Sequence, residues 1–450
     1  MPGIRGATPV TSWQASTRRS LLSRERLVQF KLLLKDIMES IYIVGVGMTP
    51  FGRHTDKSIK QLVAWAVEDA LKDANCDRKH VQAAFYGNCT QGHFDGQHMI
   101  RGHIALLEAG FNGLPIFNLE GACASSSHAF HLAVQQLRAG AADVAIAVGA
   151  EKMFYPDKAK MFSAFESAWD VSTLDENKSC LAEMGKDFVP PPGSQSDKPY
   201  SPFMDVYASL ARGFMSRFGI TQRQVAAVAS KNHGHSVHNQ RSQYRMPMSI
   251  EEILAAPPIT FPMTLPMCSP ISDGAAAAIV CTESALKKYG FDRMRAIKVM
   301  ASVVRSASAR AADDYDNGCT YLAGKQAFAQ AGISPKEINV AELHDATAVG
   351  ELLSMEYLGL CEPGMSGVMS ERGDTALGGK LPINPSGGLE SKGHPIGATG
   401  IGQIFELVEQ LRGNCGKRQV EGARFALQGN GGGLWRVEEA TEHVGIFARA

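Results

Sequence analysis

The 450-residue sequence has no excess of charge of either sign, which limits the partners that it can bind. Lysine and arginine together number 45, and so do aspartate and glutamate, so the formal net charge is zero. Nucleic-acid-binding domains usually carry a basic excess, so the composition argues against a nucleic-acid partner. No apolar run approaches the roughly 18 residues that a membrane-spanning helix needs, and we therefore expect no membrane span.

Paired cysteines are also lacking. The nine cysteines are scattered, odd in number and never spaced as Cys-x-x-Cys. This pattern excludes a secreted disulfide framework and favours free thiols in a reducing compartment, so we expect a cytoplasmic protein. Two groups of three histidines have neither metalloenzyme helix spacing nor a convincing paired carboxylate, and we predict no metal site. These groups are His93, His98, His103 and His233, His235, His238.

Residues 1–37 differ from the rest of the chain. They hold seven basic residues against two acidic ones, and they are rich in serine and threonine before residue 24. One interpretation is an organelle-targeting presequence, which would place the protein in a mitochondrion or another organelle. The other is a frayed tail, or a start codon upstream of the natural start at Met38.

Beyond Met38 the pattern predicts an α/β protein. Short apolar runs typical of strands, such as Ile41–Gly47, alternate with helical periodicity, as in Ser58–Ala74. The run Asp143–Gly149 is continuously apolar after its first residue, as expected for a strand buried on both faces. Strands that alternate with helices predict βαβ units and a mostly parallel sheet.

The scheme occurs twice. Gln136-Leu137-Arg138-Ala139-Gly140 and Gln410-Leu411-Arg412-Gly413 each lead into a buried strand, and in that register Cys123 falls opposite Gly397. We expect an N-terminal extension over 1–37 and a first half over 38–152 that resumes over 236–290. An inserted loop domain over 153–235 would separate its two parts, and a second half would span 291–450.

Cys123 is the first candidate for chemistry, because its segment Gly121–Ser127 follows a strand and opens a helix. A helix N-terminus favours the thiolate, which is the nucleophilic form of cysteine. The alternative is a buried structural cysteine.

Two histidines are candidates for partners of this thiol. His394, in Gly388–Gly400, precedes the helix of the second half, so internal symmetry would bring it close to Cys123, where it could take the thiol proton. His344 ends a strand and could donate a hydrogen bond to an oxyanion. The alternative for His394 is a solvent-facing turn. The alternative at His344 is capping of the next helix by Asp345, which can hold alongside a catalytic His344.

Four glycines in Gly429–Gly433 would let the backbone pass close to a substrate and aim its N–H groups at an oxyanion. The alternative is a tight hairpin between Phe425 and Trp435.

Taken together, these residues resemble the thiolase superfamily, and most of all its sterol-carrier-protein-type and archaeal acetoacetyl-CoA members. The resemblance runs from Ile41 to Trp435. The segments that carry it are the Cys123 segment, His344-Asp345, Asn384–Gly388 running into Gly393-His394-Pro395, and Ser269–Ala276.

The resemblance implies two βαβαβαββ halves in a five-layered α-β-α-β-α fold, a loop domain, a homodimer and a role in lipid metabolism. It implies a coenzyme A thioester as substrate, with no permanently bound cofactor. Cys123 would carry the acyl group, His394 would activate it and help to bind the second thioester oxygen, and His344 would contact the same oxygen. The backbone N–H groups of Cys123 and of Gly431, Gly432 and Gly433 would form the other oxyanion hole.

The sequence departs from the family at the acid/base cysteine. The two positions where thiolases carry that thiol are Gly429 and Ala346 here, and Thr347 replaces the phenylalanine that follows the second position. Loss of a general acid/base typically costs about 10²–10⁴-fold in rate. Three functions therefore stay open: an acyltransferase working through acyl-Cys123, a retro-aldol lyase on a CoA-linked side chain with a small partner protein, and a non-catalytic acyl-CoA-binding subunit.

Overall fold

Nine strands form one mixed sheet in the order β3-β2-β4-β7-β1-β8-β11-β10-β9 in the computed structural model, which describes residues 39–311 and 314–450. The predicted N-terminal extension over 1–37 lies outside the described residues. The strands are β1 (Ile41–Met48), β2 (Ala83–Gly87), β3 (Ile116–Leu119), β4 (Val144–Lys152), β5 (Pro258–Thr260), β6 (Met263–Thr264), β7 (Asp273–Thr282), β8 (Ile297–Ser306), β9 (Val340–Glu342), β10 (Phe425–Trp435) and β11 (Glu438–Arg449).

The prediction of a mostly parallel sheet is wrong. Within the described part of the chain, β2–β3, β2–β4 and β9–β10 pair in parallel, whereas the other pairs of this sheet are antiparallel. The reason lies in β7 and β11, which the sequence patterns did not indicate as strands. β7 returns after a long excursion and β11 after a hairpin, so neither connection is the helical crossover that makes neighbouring strands parallel.

The helices lie on both faces of this sheet and in the excursion between β4 and β7. They are α1 (Ile59–Ala74), α2 (Gln91–Asp95), α3 (Arg101–Glu108), α4 (Ser125–Arg138), α5 (Lys158–Ser163), α6 (Leu174–Met184), α7 (Phe203–Phe218), α8 (Gln222–Ser236), α9 (Ile250–Leu254), α10 (Glu283–Lys288), α11 (Cys319–Ala331), α12 (Ala348–Tyr357), α13 (Ser366–Arg372) and α14 (Thr399–Arg412). No helix in the described ranges is long and apolar enough to cross a membrane.

The two halves repeat one another around the β1–β8 pair. Read outward from that pair, the first half runs β1-β7-β4-β2-β3 and the second runs β8-β11-β10-β9. The register that places Gln136 opposite Gln410 superposes α4 on α14, and both helices are 14 residues long. The internal duplication expected from the sequence therefore relates matching elements of the two halves.

Three apolar clusters give the layers. α4 and α14 pack together at the centre, where Phe130 and Ile404 share one core with the inner faces of the strands. α1 and α3 cover the outer face of the first half, and α11 and α12 cover that of the second. The order is α-β-α-β-α, which confirms the predicted five-layered thiolase-like fold.

The chain leaves the sheet at Lys152 and returns at Asp273. This excursion contains α5 to α9 and the small β5–β6 sheet. α7, α8 and α9 pack against α12 in a separate apolar cluster, which holds the excursion beside the start of α12. The predicted loop-domain boundaries at 153 and 235 stay a prediction.

Candidate active site

Cys123 lies in a sharp turn between β3 and α4. The turn Ala122–Ala124 is a 3₁₀ helix, and Ala122 adopts φ +48°, a left-handed conformation that an alanine rarely takes. The Ser125 hydroxyl fixes this turn, because it donates to the Ala122 carbonyl at 2.7 Å and accepts from the Gly121 N–H at 3.0 Å. The strained turn presents the Cys123 side chain ahead of the helix.

His394 meets this thiol from the second half. Its Nε2 lies 3.3 Å from Sγ of Cys123, and its Nδ1 lies 2.7 Å from Oγ1 of Thr399. The Thr399 hydroxyl also lies 3.1 Å from the Pro395 carbonyl, to which it donates its hydrogen, and we therefore assign Nδ1 as the protonated nitrogen. In this tautomer the lone pair of Nε2 faces the thiol. The alternative of a solvent-facing turn histidine is wrong, because His394 is buried.

His344 completes the cluster. Its ring centroid lies 5.4 Å from that of His394. Sγ of Cys123 and one ring nitrogen from each of His344 and His394 all lie within 4.8 Å of one another. Its Nε2 is buried without a hydrogen-bond partner among the described residues. A buried polar nitrogen without a partner is costly, and a substrate oxygen would satisfy it.

Burial shifts the pKa values of both the nucleophile and its neighbouring histidine towards the uncharged forms. Burial, then the charges of Glu439 and Glu151, raises the pKa of the Cys123 thiol above its usual range. Burial, then His344 and Lys392, lowers the pKa of His394 well below its usual value. The helix start favours the thiolate, whereas desolvation and the nearby carboxylates act in the opposite direction, so the thiolate expected from the sequence stays a prediction.

The predicted glycine segment lies within β10 rather than in a turn, so the alternative of a tight hairpin between Phe425 and Trp435 is wrong. A Cβ on Gly432 would collide with the Gly121 carbonyl oxygen and would lie 2.9 Å from the backbone nitrogen of Ala124. Only a residue without a side chain lets β10 run against the Cys123 turn this closely.

Asp345 supports the site without capping α12. Thr347 is the N-cap of that helix and makes no side-chain cap. Asp345 instead accepts from the Leu389 N–H at 2.8 Å and from Nδ2 of Asn232 at 3.0 Å. Burial, with the charge of Glu351 next, raises the pKa of Asp345 well above its usual value. These bonds tie the His344 strand end to the segment that leads to His394.

Two of the histidines considered as metal ligands, His233 and His235, have backbone partners. His233 Nε2 lies 3.1 Å from the Pro266 carbonyl. His235 Nδ1 lies 3.0 Å from the Asn384 carbonyl, and its Nε2 accepts from the Leu377 N–H at 3.0 Å. Their bonding is that of histidines that hold the loops around the site in place.

The structure adds residues that the sequence patterns did not indicate. Cys89 donates to the Ala122 carbonyl at 3.0 Å and so braces the nucleophile turn. Glu439 and Tyr207 line a cavity that reaches His344. Glu439 belongs to β11, a strand without a recognisable apolar alternation at that end, so no local signal marked it.

The sequence matches known families over most of its length. Residues 41–253 match the model "Thiolase, N-terminal domain", and residues 301–442 match "Thiolase C-terminal domain-like". The chain is 34% identical to an acetyl-CoA acetyltransferase of Methanothermobacter thermautotrophicus, over 92% of this chain and 100% of that protein. It is 34% identical to sterol carrier protein 2 of Oryctolagus cuniculus, over 87% of this chain and 69% of that protein.

The fold is also similar to that of a solved structure. The solved Ltp2-ChsH2(DUF35) aldolase superposes with a TM-score of 0.70 at 20% identity, over 91% of this chain and 98% of that chain. At this identity the likeness concerns the fold alone. With both family models matched and with relatives of similar length, the chain belongs to the thiolase family.

Proposed function

We propose that the protein is a thiolase-type acyltransferase of lipid metabolism, which takes the acyl group of a coenzyme A thioester onto Cys123. The observation that carries this proposal is the 3.3 Å contact between Sγ of Cys123 and Nε2 of His394, with Thr399 fixing the tautomer. A neutral thiol beside a neutral base can become a nucleophile by giving its proton to that base during the attack.

Acyl transfer follows from the positions of these groups. Sγ attacks the thioester carbonyl while Nε2 of His394 takes its proton, and the same nitrogen then protonates the leaving coenzyme A thiolate. The N–H of Cys123 and N–H groups of Gly431, Gly432 and Gly433 are proposed to stabilise the oxyanion formed on the acyl group. His344, with its unpartnered Nε2, and His394 would bind the second thioester oxygen. The acyl group on Cys123 is then passed to coenzyme A, which completes thiolysis, or to the α-carbon of a second CoA ester, which completes Claisen condensation.

Intact mass spectrometry tests this proposal. The wild type would be incubated with acetyl-CoA, acetoacetyl-CoA or a long-chain 3-ketoacyl-CoA, beside Cys123→Ala and the control Cys361→Ala. We expect an acyl adduct on the wild type and on the control, and none on Cys123→Ala. An adduct that persists in Cys123→Ala would overturn the assignment.

A second candidate is a retro-aldol lyase that acts on a CoA-linked side chain with a small partner protein. It is favoured by the absence of a thiol at both Gly429 and Ala346. This function predicts carbon–carbon cleavage without an acyl adduct and without loss in Cys123→Ala. A non-catalytic subunit would instead bind CoA esters without turnover, with or without a partner. The homodimer proposed from family resemblance can be checked by analytical ultracentrifugation.

A further inference from the structure

The proposed function leaves one proton without a carrier. Making or breaking a bond at the carbon next to a thioester needs a group that removes a proton from that carbon or returns it. Neither Gly429 nor Ala346 supplies a thiol for this step. The inference below rests on the proposed function and concerns the group that replaces this thiol.

One carboxyl group lies beside the space that a thiol at position 429 would occupy, and a second lies beside His344. Glu442 Oε1 is 3.7 Å from the position that a Cβ on residue 429 would take. Glu439 Oε1 is 3.8 Å from Nδ1 of His344, and both glutamates line the cavity that reaches His344. Thr320 donates to the second oxygen of Glu442 at 3.2 Å, so Glu442 is held in place.

Glu439 differs from two buried glutamates near the site because its carboxyl group accepts no hydrogen bond from the described residues. Glu342 accepts from Lys392 and Ser386, and Glu151 accepts from Thr90 and Asn88. Among residues 39–311 and 314–450, no hydrogen bond engages the carboxylate of Glu439. Its side chain is 26% exposed, whereas those two are fully buried. A proton carrier needs free lone pairs and access to its substrate, and Glu439 combines an unbonded carboxyl group with a place in the lining of the cavity that reaches His344.

The backbone of β10 makes room for Glu439 at Gly431. A Cβ on Gly431 would lie 2.7 Å from Cδ of Glu439, so any side chain at position 431 would displace the carboxylate. The next residue of β10, Gly432, packs on the Cys123 turn. Glu439 thus packs on the residue next to the one that contacts the nucleophile turn, and its charge contributes to the raised pKa of Cys123.

Glu442 completes a pair of carboxyl groups with different tasks. Burial, then the charge of Glu439, raises the pKa of Glu442 well above its usual value. The carboxyl group of Glu442 is held by Thr320, whereas that of Glu439 accepts no hydrogen bond from the described residues. Glu442 is therefore a positioning residue, and Glu439 is the free carboxyl group that lines the cavity reaching His344.

We propose that Glu439 is the catalytic acid/base of this site, in the role of the missing thiol. In condensation, the Cα–H bond of the second CoA ester breaks and its proton goes to an oxygen of Glu439. The electron pair forms the bond to the acyl carbon on Cys123, and the C–S bond breaks with its electrons on Sγ. The proton held by Glu439 then neutralises this thiolate, with His344 placed to relay it. Thiolysis runs these steps in reverse.

Deuterium exchange separates this role from acyl transfer. Acetyl-CoA would be incubated in D₂O with the wild type, Glu439→Gln and the exposed control Glu421→Gln, and deuterium in its methyl group would be measured by mass spectrometry. We expect Glu439→Gln to lose about 10²–10⁴-fold of the exchange rate, the usual contribution of a general acid/base. The rate of Cys123 acylation by acetyl-CoA should stay within a few-fold of wild type, because that step breaks no C–H bond.

Rescue provides a second readout. Ala346→Cys, introduced into the Glu439→Gln background, places a thiol where related enzymes carry one, and it should restore part of the exchange. Glu439→Asp keeps a carboxylate and should retain more exchange than Glu439→Gln. It also serves as a second variant for this test if the glutamine variant folds poorly.

The failures are distinguishable. Unchanged exchange in Glu439→Gln overturns the role of Glu439, and so does parallel loss of exchange and acylation in both Glu439 variants, which would indicate a structural role. Absence of a Cys123 adduct in the wild type would instead overturn the proposed function itself.

Discussion

Nε2 of His394 lies 3.3 Å from Sγ of Cys123, although 271 residues separate the two along the chain. The contact exists because α4 and α14 pack side by side at the centre of the fold and the two residues precede their starts. The chemistry therefore depends on how the two halves are packed, as well as on the side chains themselves.

Thr399 controls which nitrogen of His394 faces the thiol. Thr399→Val removes the acceptor for Nδ1–H, so the ring loses its fixed tautomer and a buried donor loses its partner. Losing such a bond costs about 1–3 kcal/mol, or roughly 5- to 150-fold in the rate of Cys123 acylation. Thr399→Ser keeps the hydroxyl and is the matched control. Equal acylation rates in the valine and serine variants would contradict this positioning role.

The raised pKa of Cys123 predicts slow alkylation at neutral pH. Only the thiolate reacts with iodoacetamide, so the rate at Cys123 should keep rising with pH beyond the usual thiol value of about 8.5. Peptide mass spectrometry can follow modification of this residue, with Cys123→Ala as the blank. Glu439→Gln removes a negative charge near the thiol, so it should lower the pKa and speed alkylation at a given pH. A rate that already levels off below pH 7 would instead indicate a thiolate–imidazolium pair.

Gly432 predicts a steric effect on the nucleophile turn. Gly432→Ala would push a methyl group into the backbone of Gly121 and Ala124, so the turn must move and acylation of Cys123 should fall by at least about 10-fold, since small misplacements of reacting groups cost up to 10²-fold. Gly234→Ala is the comparison, because nothing lies within 4 Å of a Cβ there and alanine favours the helix. Acylation at the wild-type rate in Gly432→Ala would show that the turn tolerates displacement.

Lys392 and Glu342 form a fully buried ion pair at 3.0 Å beneath the His394 segment. Lys392→Met leaves the Glu342 carboxylate buried without its cation, which typically costs about 3–5 kcal/mol in the free energy of unfolding. Adding Glu342→Gln removes the orphaned charge, so the double variant should recover most of that loss. Chemical denaturation at pH 7 measures both values. A double variant less stable than Lys392→Met would contradict this explanation.

Patterns confined to one stretch of chain were informative. The strands β1 and β4, the helix α1 and the register of Gln136 on Gln410 were all predictable, because apolar periodicity and repeated helix ends are local signals. That register alone also predicts that His394 lies near Cys123. The thiol's ionisation was not predictable in this way, since the burial that raises its pKa is produced by segments far away in sequence.

β7 and β11 escaped prediction for a different reason. β7 contains four consecutive alanines, residues with weak strand preference, and the end of β11 that begins at Glu438 is charged. Their burial between neighbouring strands overrides these local preferences. Glu439 was missed along with its strand, because its place beside His344 arises only from the pairing of β10 with β11.

The superposition of α4 on α14 has an evolutionary consequence. If an ancestral chain consisted of one half, two copies could have placed these central helices side by side only as identical neighbours, each preceded by the same residue. In the present chain the matching positions have diverged, because Gly397 stands opposite Cys123 and Glu120 stands opposite His394. A symmetric pair of identical copies could form two equivalent sites, whereas this chain keeps one nucleophile and one base.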